Sequence, residues 1–110
     1  MSIPSFGIRV VHEGPATRIA PAGELDIATT PALEQAIAEA TAMPGAELVL
    51  YLRELTFIDS TGLRTLAQTN ARAADSVFGF SIWRGSQQID RVLEISGLGP
   101  LLPLADAPPD

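Results

Sequence analysis

Residues 57–63 read F-I-D-S-T-G-L: two apolar residues lead into Asp59, Ser60, Thr61 and Gly62, and Leu63 resumes the apolar pattern. From there Leu63, Leu66, Ala67 and Asn70 recur at helical spacing, so a helix is expected from near Ser60 to about Ala74. Upstream, Glu47 to Leu52 (E-L-V-L-Y-L) is a nearly continuous apolar run of strand length, the pattern of a central strand covered on both faces. The D-S-T-G segment is thus a polar junction between strand and helix. Its adjacent hydroxyls behind an acid admit three readings: a helix cap, a nucleophile, or a place where charge is added and removed.

The rest of the chain follows the same alternation. Phe6 to His12 is a β-prone run, Glu13-Gly14-Pro15 a turn, and Thr17 to Ala22 a candidate paired strand weakened by Pro21, which has no N–H to donate. After G-E-L-D at 23–26, Thr30 is a candidate N-cap with Pro31 at the first helical position, and Leu33, Ile37 and Ala40 share a face before Pro44-Gly45 closes the helix. Phe78, Phe80 and Ile82 alternate with Gly79, Ser81 and Trp83, marking a further strand. Ser86 is placed to cap a third helix with Ile89, Val92, Leu93 and Ser96 on one face, stopped by Gly97. Leu101 to Leu104 would add a last short strand, leaving about 106–110 as a loose tail. The expectation is a single α/β domain over 1–110, with a mixed sheet of about four to five strands, parallel in its centre, and helices packed mainly on one face.

Composition narrows the function. Hydrophobic residues make up 46% of the 110 and charged residues 18%, enough apolar material to build one core. No apolar stretch is long enough to span a membrane, and no secretory signal is expected. There is no cysteine and no lysine, which removes disulfides, thiolate metal sites, Schiff-base chemistry and a phosphate-loop lysine. Seven scattered arginines in a chain of net charge −6 make nucleic acid and anionic membrane poor partners. Proteins are the expected partners, and the cytoplasm the expected compartment.

A hydrolase elbow, G-x-S-x-G, needs glycine at 58 and 62, but position 58 is Ile. The lone histidine, His12, reads as an exposed strand-end residue rather than a base for Ser60. No ligand-spaced cluster suggests a metal, and Glu24 with Asp26 gives no support for paired-carboxylate catalysis. Capping by Asp59 or Ser60 remains, contributing about 1 kcal/mol, with Gly62 allowing close approach or an unusual backbone angle. So does a reversible phosphate, tolerated beside the N–H groups and positive dipole end of a helix. Trp83, on the strand face opposite Phe80 and Ile82, reads as packing, Arg64 and Arg72 as a solvated helix face. Asp26 serves equally as loop brace or partner contact.

Three segments, in this order and spacing, resemble the anti-sigma factor antagonists, whose fold is the STAS domain: G-E-L-D at 23–26, L-V-L-Y-L leading into F-I-D-S-T-G-L, and R-V-L-E-I-S-G-L at 91–98. The resemblance covers nearly the whole chain, and D-S-T-G-L is its specific block. It implies a small cytoplasmic regulator, not an enzyme, that binds an anti-sigma factor acting also as an ATP-dependent serine kinase. The unphosphorylated antagonist captures that kinase and frees a sigma factor; phosphorylation of the serine after the motif's aspartate ends capture, and a serine phosphatase restores it. On this chain that serine is Ser60, not Thr61. Asp26 and Asp59 match acids around the site, and Thr61, Gly62 and Leu63 would open the partner-contacting helix. No cofactor is implied for the chain itself, since ATP and Mg²⁺ would be used by the kinase. Tyr51 stands where many relatives carry Asp or Asn, and Pro21 replaces a strand hydrophobic, both departures bearing on the partner surface. A non-switching STAS subunit of a transporter or stress-signalling assembly is the alternative, followed by a small-ligand or nucleotide-binding module.

Overall fold

Leu48 and Leu50 are buried while Val49 and Tyr51, which alternate with them, are half-exposed, and this alternation orients the sheet. The structure, a computed structural model, describes residues 6–76 and 78–108. The order is β1 (Phe6–Glu13), β2 (Ala16–Leu25), α1 (Thr30–Ala40), β3 (Glu47–Tyr51), β4 (Leu55–Ile58), α2 (Ser60–Asp75), β5 (Gly79–Trp83) and α3 (Gln87–Ile95). A 3₁₀ turn (Gly99–Leu101) and β6 (Leu104–Ala105) complete it.

The first two strands form an antiparallel hairpin, registered from Phe6 opposite Gly23 to Glu13 opposite Ala16. All other pairings are parallel, in the order β1-β2-β3-β5-β6, with β4 pairing β2. The mixed sheet with a parallel centre is as expected, but among the described residues it has six strands rather than four to five. The additional strand is β4. Its four residues follow a Leu52-Arg53-Glu54 interruption and are buried only at the two ends, so neither length nor alternation announces it.

Pro21 does not break β2 because of where it falls. Pairing with β3 ends at Ile19 opposite Leu50, and pairing with β4 begins at Gly23 opposite Leu55. Pro21 lies between the two, where no neighbour on that side requires its missing N–H. The strand therefore runs from Ala16 to Leu25, past the expected end at Ala22.

Ile19, Leu48, Leu50 and Ile82 from the sheet join Leu33 and Ile37 of α1, Leu66 of α2, and Ile89 and Leu93 of α3 in one core. The helices accordingly cover one face. The opposite face carries Arg18, Val49, Tyr51, Ser81 and Trp83, all half-buried, so the run E-L-V-L-Y-L is fully covered on one side only. There Tyr51 meets Trp83 edge-on at 5.5 Å and the Arg18 guanidinium lies 5.6 Å from the Trp83 ring centre, the packing role expected for the tryptophan.

Two ends differ from the sequence reading. The N-cap of α1 is Thr29, and Thr30 is the first helical residue, its hydroxyl donating to the Asp26 carbonyl at 2.6 Å. The last strand is Leu104–Ala105 instead of Leu101 to Leu104, because Gly99, Pro100 and Leu101 form a 3₁₀ turn whose Leu101 carbonyl accepts from the Asn70 side chain at 2.9 Å. Ser96 is exposed and caps the end of α3. Of the expected tail, Asp106 pairs with Arg84 at 3.3 Å, and residues 109–110 lie outside the described residues.

Gly62 sets how closely α2 lies on the sheet. A Cβ there would stand 2.7 Å from Ile58 Cγ1 and 2.9 Å from Leu25 Cδ2, both core side chains with no room to withdraw. Gly62→Ala is expected to destabilise the protein by about 1–3 kcal/mol through this overlap. Gly97→Ala, in open space at φ 81, is expected to cost about 1 kcal/mol from backbone strain alone. Urea midpoints for the two variants check this; an unchanged midpoint for Gly62→Ala would show that the helix can shift to make room.

Candidate functional site

The site is built where β2 and β4 end together. Leu25 pairs with Ile58, and the Asp59 amide donates to the Leu25 carbonyl at 3.0 Å, so Asp26 and Asp59 emerge side by side from parallel strands. Each acid then starts the next element.

Asp59 is the N-cap of α2, in extended backbone conformation (φ −103, ψ −173). Its Oδ1 accepts from the amides of Thr61 at 2.9 Å and Gly62 at 3.1 Å, and its carbonyl accepts from Leu63 at 3.0 Å. Of the two candidates for the cap, the acid takes the role and the serine does not. Ser60 is exposed, and its hydroxyl makes no hydrogen bond among the described residues. Thr61 and Leu63 are half-buried and Gly62 fully buried, its small size being needed for close approach, not for an unusual backbone angle.

Asp26 braces the loop into α1. Its Oδ1 accepts from the amides of Ala28 at 3.0 Å and Thr29 at 3.1 Å. The Thr29 hydroxyl accepts from the Asp26 amide at 2.9 Å and donates to the Glu24 carbonyl at 2.8 Å. This loop holds Ile27 outward at 76% exposure, an apolar residue that the sequence reading passed over. The available signal was the G-E-L-D-I spacing: a continuing strand would bury Ile27 with Leu25, but the turn fixed by Asp26 reverses its direction.

The other singled-out residues lie apart from this junction. His12 is exposed and sits 3.1 Å from the Thr17 hydroxyl at the opposite end of β2, about 26 Å from Leu25 at strand rise. No imidazole therefore reaches Ser60. Tyr51 and Trp83 belong to the helix-free sheet face, and Arg72 lies over the Phe78 ring at 5.9 Å. Arg64 is exposed one turn into α2. Among the described residues no group of three or more His, Asp or Glu could hold a metal ion, and no helix is long and apolar enough to cross a membrane.

Near the carboxyl ends of β3 and β5 lies an open cleft of about 530 Å³, lined by Tyr51, Arg53, Arg84, Ser86, Asp90 and Asp106 among others. Its two arginines are matched by two acids, and Asp106 already pairs with Arg84. It is separate from the Ser60 junction.

Residues 8–103 match the family model described as "Mlab, STAS domain". The anti-sigma-F factor antagonist RsfB of Mycobacterium tuberculosis is 36% identical over 87 residues, covering 78% of this chain and 71% of the relative. The crystal structure of an anti-sigma factor antagonist from Mycobacterium paratuberculosis superposes with a TM-score of 0.83 at 30% identity, covering 97% of this chain and 92% of that one. The unphosphorylated form of the anti-sigma factor antagonist SpoIIAA shares the fold, with a TM-score of 0.72 at 21% identity over 93% of this chain and 89% of the other. A strand-to-helix D-S-T-G-L junction on a six-stranded mixed sheet, and these likenesses over most of its length, place the chain in the STAS-domain family of anti-sigma factor antagonists.

Proposed function

We propose that the unphosphorylated protein captures an anti-sigma factor that is also a serine kinase, thereby freeing a sigma factor, and that phosphorylation of Ser60 ends capture until a serine phosphatase reverses it. One observation carries this reading: Ser60 is an exposed, unbonded hydroxyl on a backbone whose neighbouring polar groups are engaged. The names of the relatives supply the partner class, an anti-sigma factor.

The transfer needs little from this chain. The Ser60 Oγ attacks the γ-phosphorus of ATP held with Mg²⁺ by the kinase; the Oγ–P bond forms as the bond to the ADP oxygen breaks. The hydroxyl proton goes to a base on the kinase, because His12 is at the far end of β2. What this chain contributes is presentation: Asp59 fixes the first turn of α2, and Gly62 seats it on Leu25 and Ile58.

The phosphate adds roughly −1.5 to −2 charges at a site already flanked by Asp26 and Asp59. The partner that fitted the bare junction, with Ile27 and the exposed turn of α2, then meets a bulky solvated anion in an acidic surround. Affinity falls through desolvation and repulsion, with no change of fold required.

The test is a pull-down from host lysate with wild type, Ser60→Ala and Ser60→Asp as baits, folding verified by circular dichroism. Wild type and Ser60→Ala are expected to retain a small ATP-binding kinase that Ser60→Asp loses. Equal recovery by all three, or recovery of a transporter assembly, would instead support the non-switching STAS subunit. A second variant probes the surface beside the serine. Ile27→Ala should leave thermal stability within about 0.5 kcal/mol, since the side chain is already in solvent. It is expected to weaken kinase capture by about tenfold, measured by titration calorimetry, if the partner covers it; undiminished affinity would place the contact elsewhere.

A further inference from the structure

A phosphate on Ser60 would enter a setting poorer in donors than a free helix N-terminus. Asp59 has taken up the amides of Thr61, Gly62 and Leu63, leaving that of Ser60 itself in the first turn. The flanking charges are the carboxylates of Asp26 and Asp59, both repulsive to a dianion. Both features disfavour a dianion at this helix terminus, and a cation within reach would offset them.

Arg64 is such a cation by position. It lies four residues after Ser60 in α2, one turn along the same face, where side chains have Cβ atoms about 5–6 Å apart. Long helical side chains lean toward the N-terminus, so a guanidinium at position 64 can reach the turn that Ser60 opens. Ser60 and Arg64 are both exposed. The helix neighbours three and four residues from Arg64 are Ser60, Thr61, Ala67 and Gln68, none of them acidic. Three of the other arginines are ion-paired: Arg9 with Glu54 at 3.7 Å, Arg18 with Glu13 at 3.6 Å, Arg84 with Asp106 at 3.3 Å. Arg64 makes no ion pair among the described residues.

We propose that Arg64 is the in-cis cation for the phosphoryl group on Ser60, its guanidinium closing on the phosphate oxygens and laying the modified side chain along α2. The inference rests on the reading of Ser60 as the phosphate acceptor. Arg64 is thus a positioning residue for the off state. It offsets the repulsion from Asp26 and Asp59 and fixes where the phosphate stands when the kinase or the phosphatase meets it.

Phosphoserine installed at position 60 by genetic code expansion allows a test without any kinase. The phosphate's second ionisation is followed by ³¹P NMR in otherwise wild-type protein, Arg64→Gln, Arg64→Lys and Arg91→Gln, the last an exposed arginine on α3. A paired guanidinium favours the dianion, so the midpoint should rise by roughly a few tenths of a pH unit in Arg64→Gln. Arg64→Lys should recover part of that shift, Arg91→Gln should leave the midpoint in place, and 1 M salt should shrink the difference. Equal midpoints in wild type and Arg64→Gln, or the same rise in Arg91→Gln, would overturn the pairing. Circular dichroism melts of the unphosphorylated variants establish that each is folded, and Arg64→Lys carries the comparison should Arg64→Gln not be. A kinase that ignores Ser60 would defeat the antagonist reading and leave this pairing standing, whereas equal midpoints would defeat the pairing alone.

Discussion

The hydrogen bond from the Asp59 amide to the Leu25 carbonyl, 3.0 Å long, ties the start of α2 to the start of the loop entering α1. It extends a pairing in which β2 serves two successive neighbours on one side, β3 along Ala16–Ile19 and β4 along Gly23–Leu25. The register shifts between Gly23 and Glu24 as the second neighbour takes over, and Gly23 donates to the Glu54 carbonyl at 3.0 Å across the interruption. If β4 did not resume the edge that β3 leaves, the two acids would not emerge together. Gly62 would then have no Leu25 and Ile58 to lie against.

Both acids at this junction are structural before they are electrostatic. Asp59 and Asp26 each use Oδ1 to hold two successive amides, one at the head of α2 and one in the loop before α1. A carboxylate hydrogen-bonded to N–H groups stays put, so the negative charge around Ser60 has fixed geometry. The serine differs from its neighbours in this respect. Among the polar side chains of the D-S-T-G segment, the cap belongs to the acid, and the exposed Ser60 hydroxyl makes no hydrogen bond among the described residues.

Much of this was legible from residue patterns. The helix beginning at Ser60, the cap at Ser86 (whose hydroxyl accepts from the Ile89 amide at 3.3 Å) and the parallel centre follow from apolar spacing and capping chemistry. What escaped was whatever depends on a neighbour distant in sequence. Pro21 reads as a strand breaker unless it is known that β3 stops at Leu50 and β4 starts at Leu55. Thr30 is a local exception, displaced by one position: its hydroxyl goes to the Asp26 carbonyl four residues back, and the cap is Thr29. The run E-L-V-L-Y-L implies two covered faces, but the second is shielded by Arg18 and Trp83 side chains rather than by a helix. Periodicity tells which way a side chain points and says little about what stands opposite.

On the proposed reading of Ser60 as a phosphate acceptor, the junction suits a switch read by a partner rather than by a change in its own shape. Converting a new charge into a conformational change requires an element with two nearly balanced packings. Around Ser60 there is little to rebalance: the cap is satisfied, the loop is braced, and Gly62 is pressed against buried Leu25 and Ile58. Core packing of this kind resists displacement by a surface charge whose interactions are screened by water. The Ser60 hydroxyl therefore sits on a braced and tightly packed junction. The charge added by the proposed phosphorylation would change the surface offered to another protein, and a rigid support would keep that change local and sharply placed.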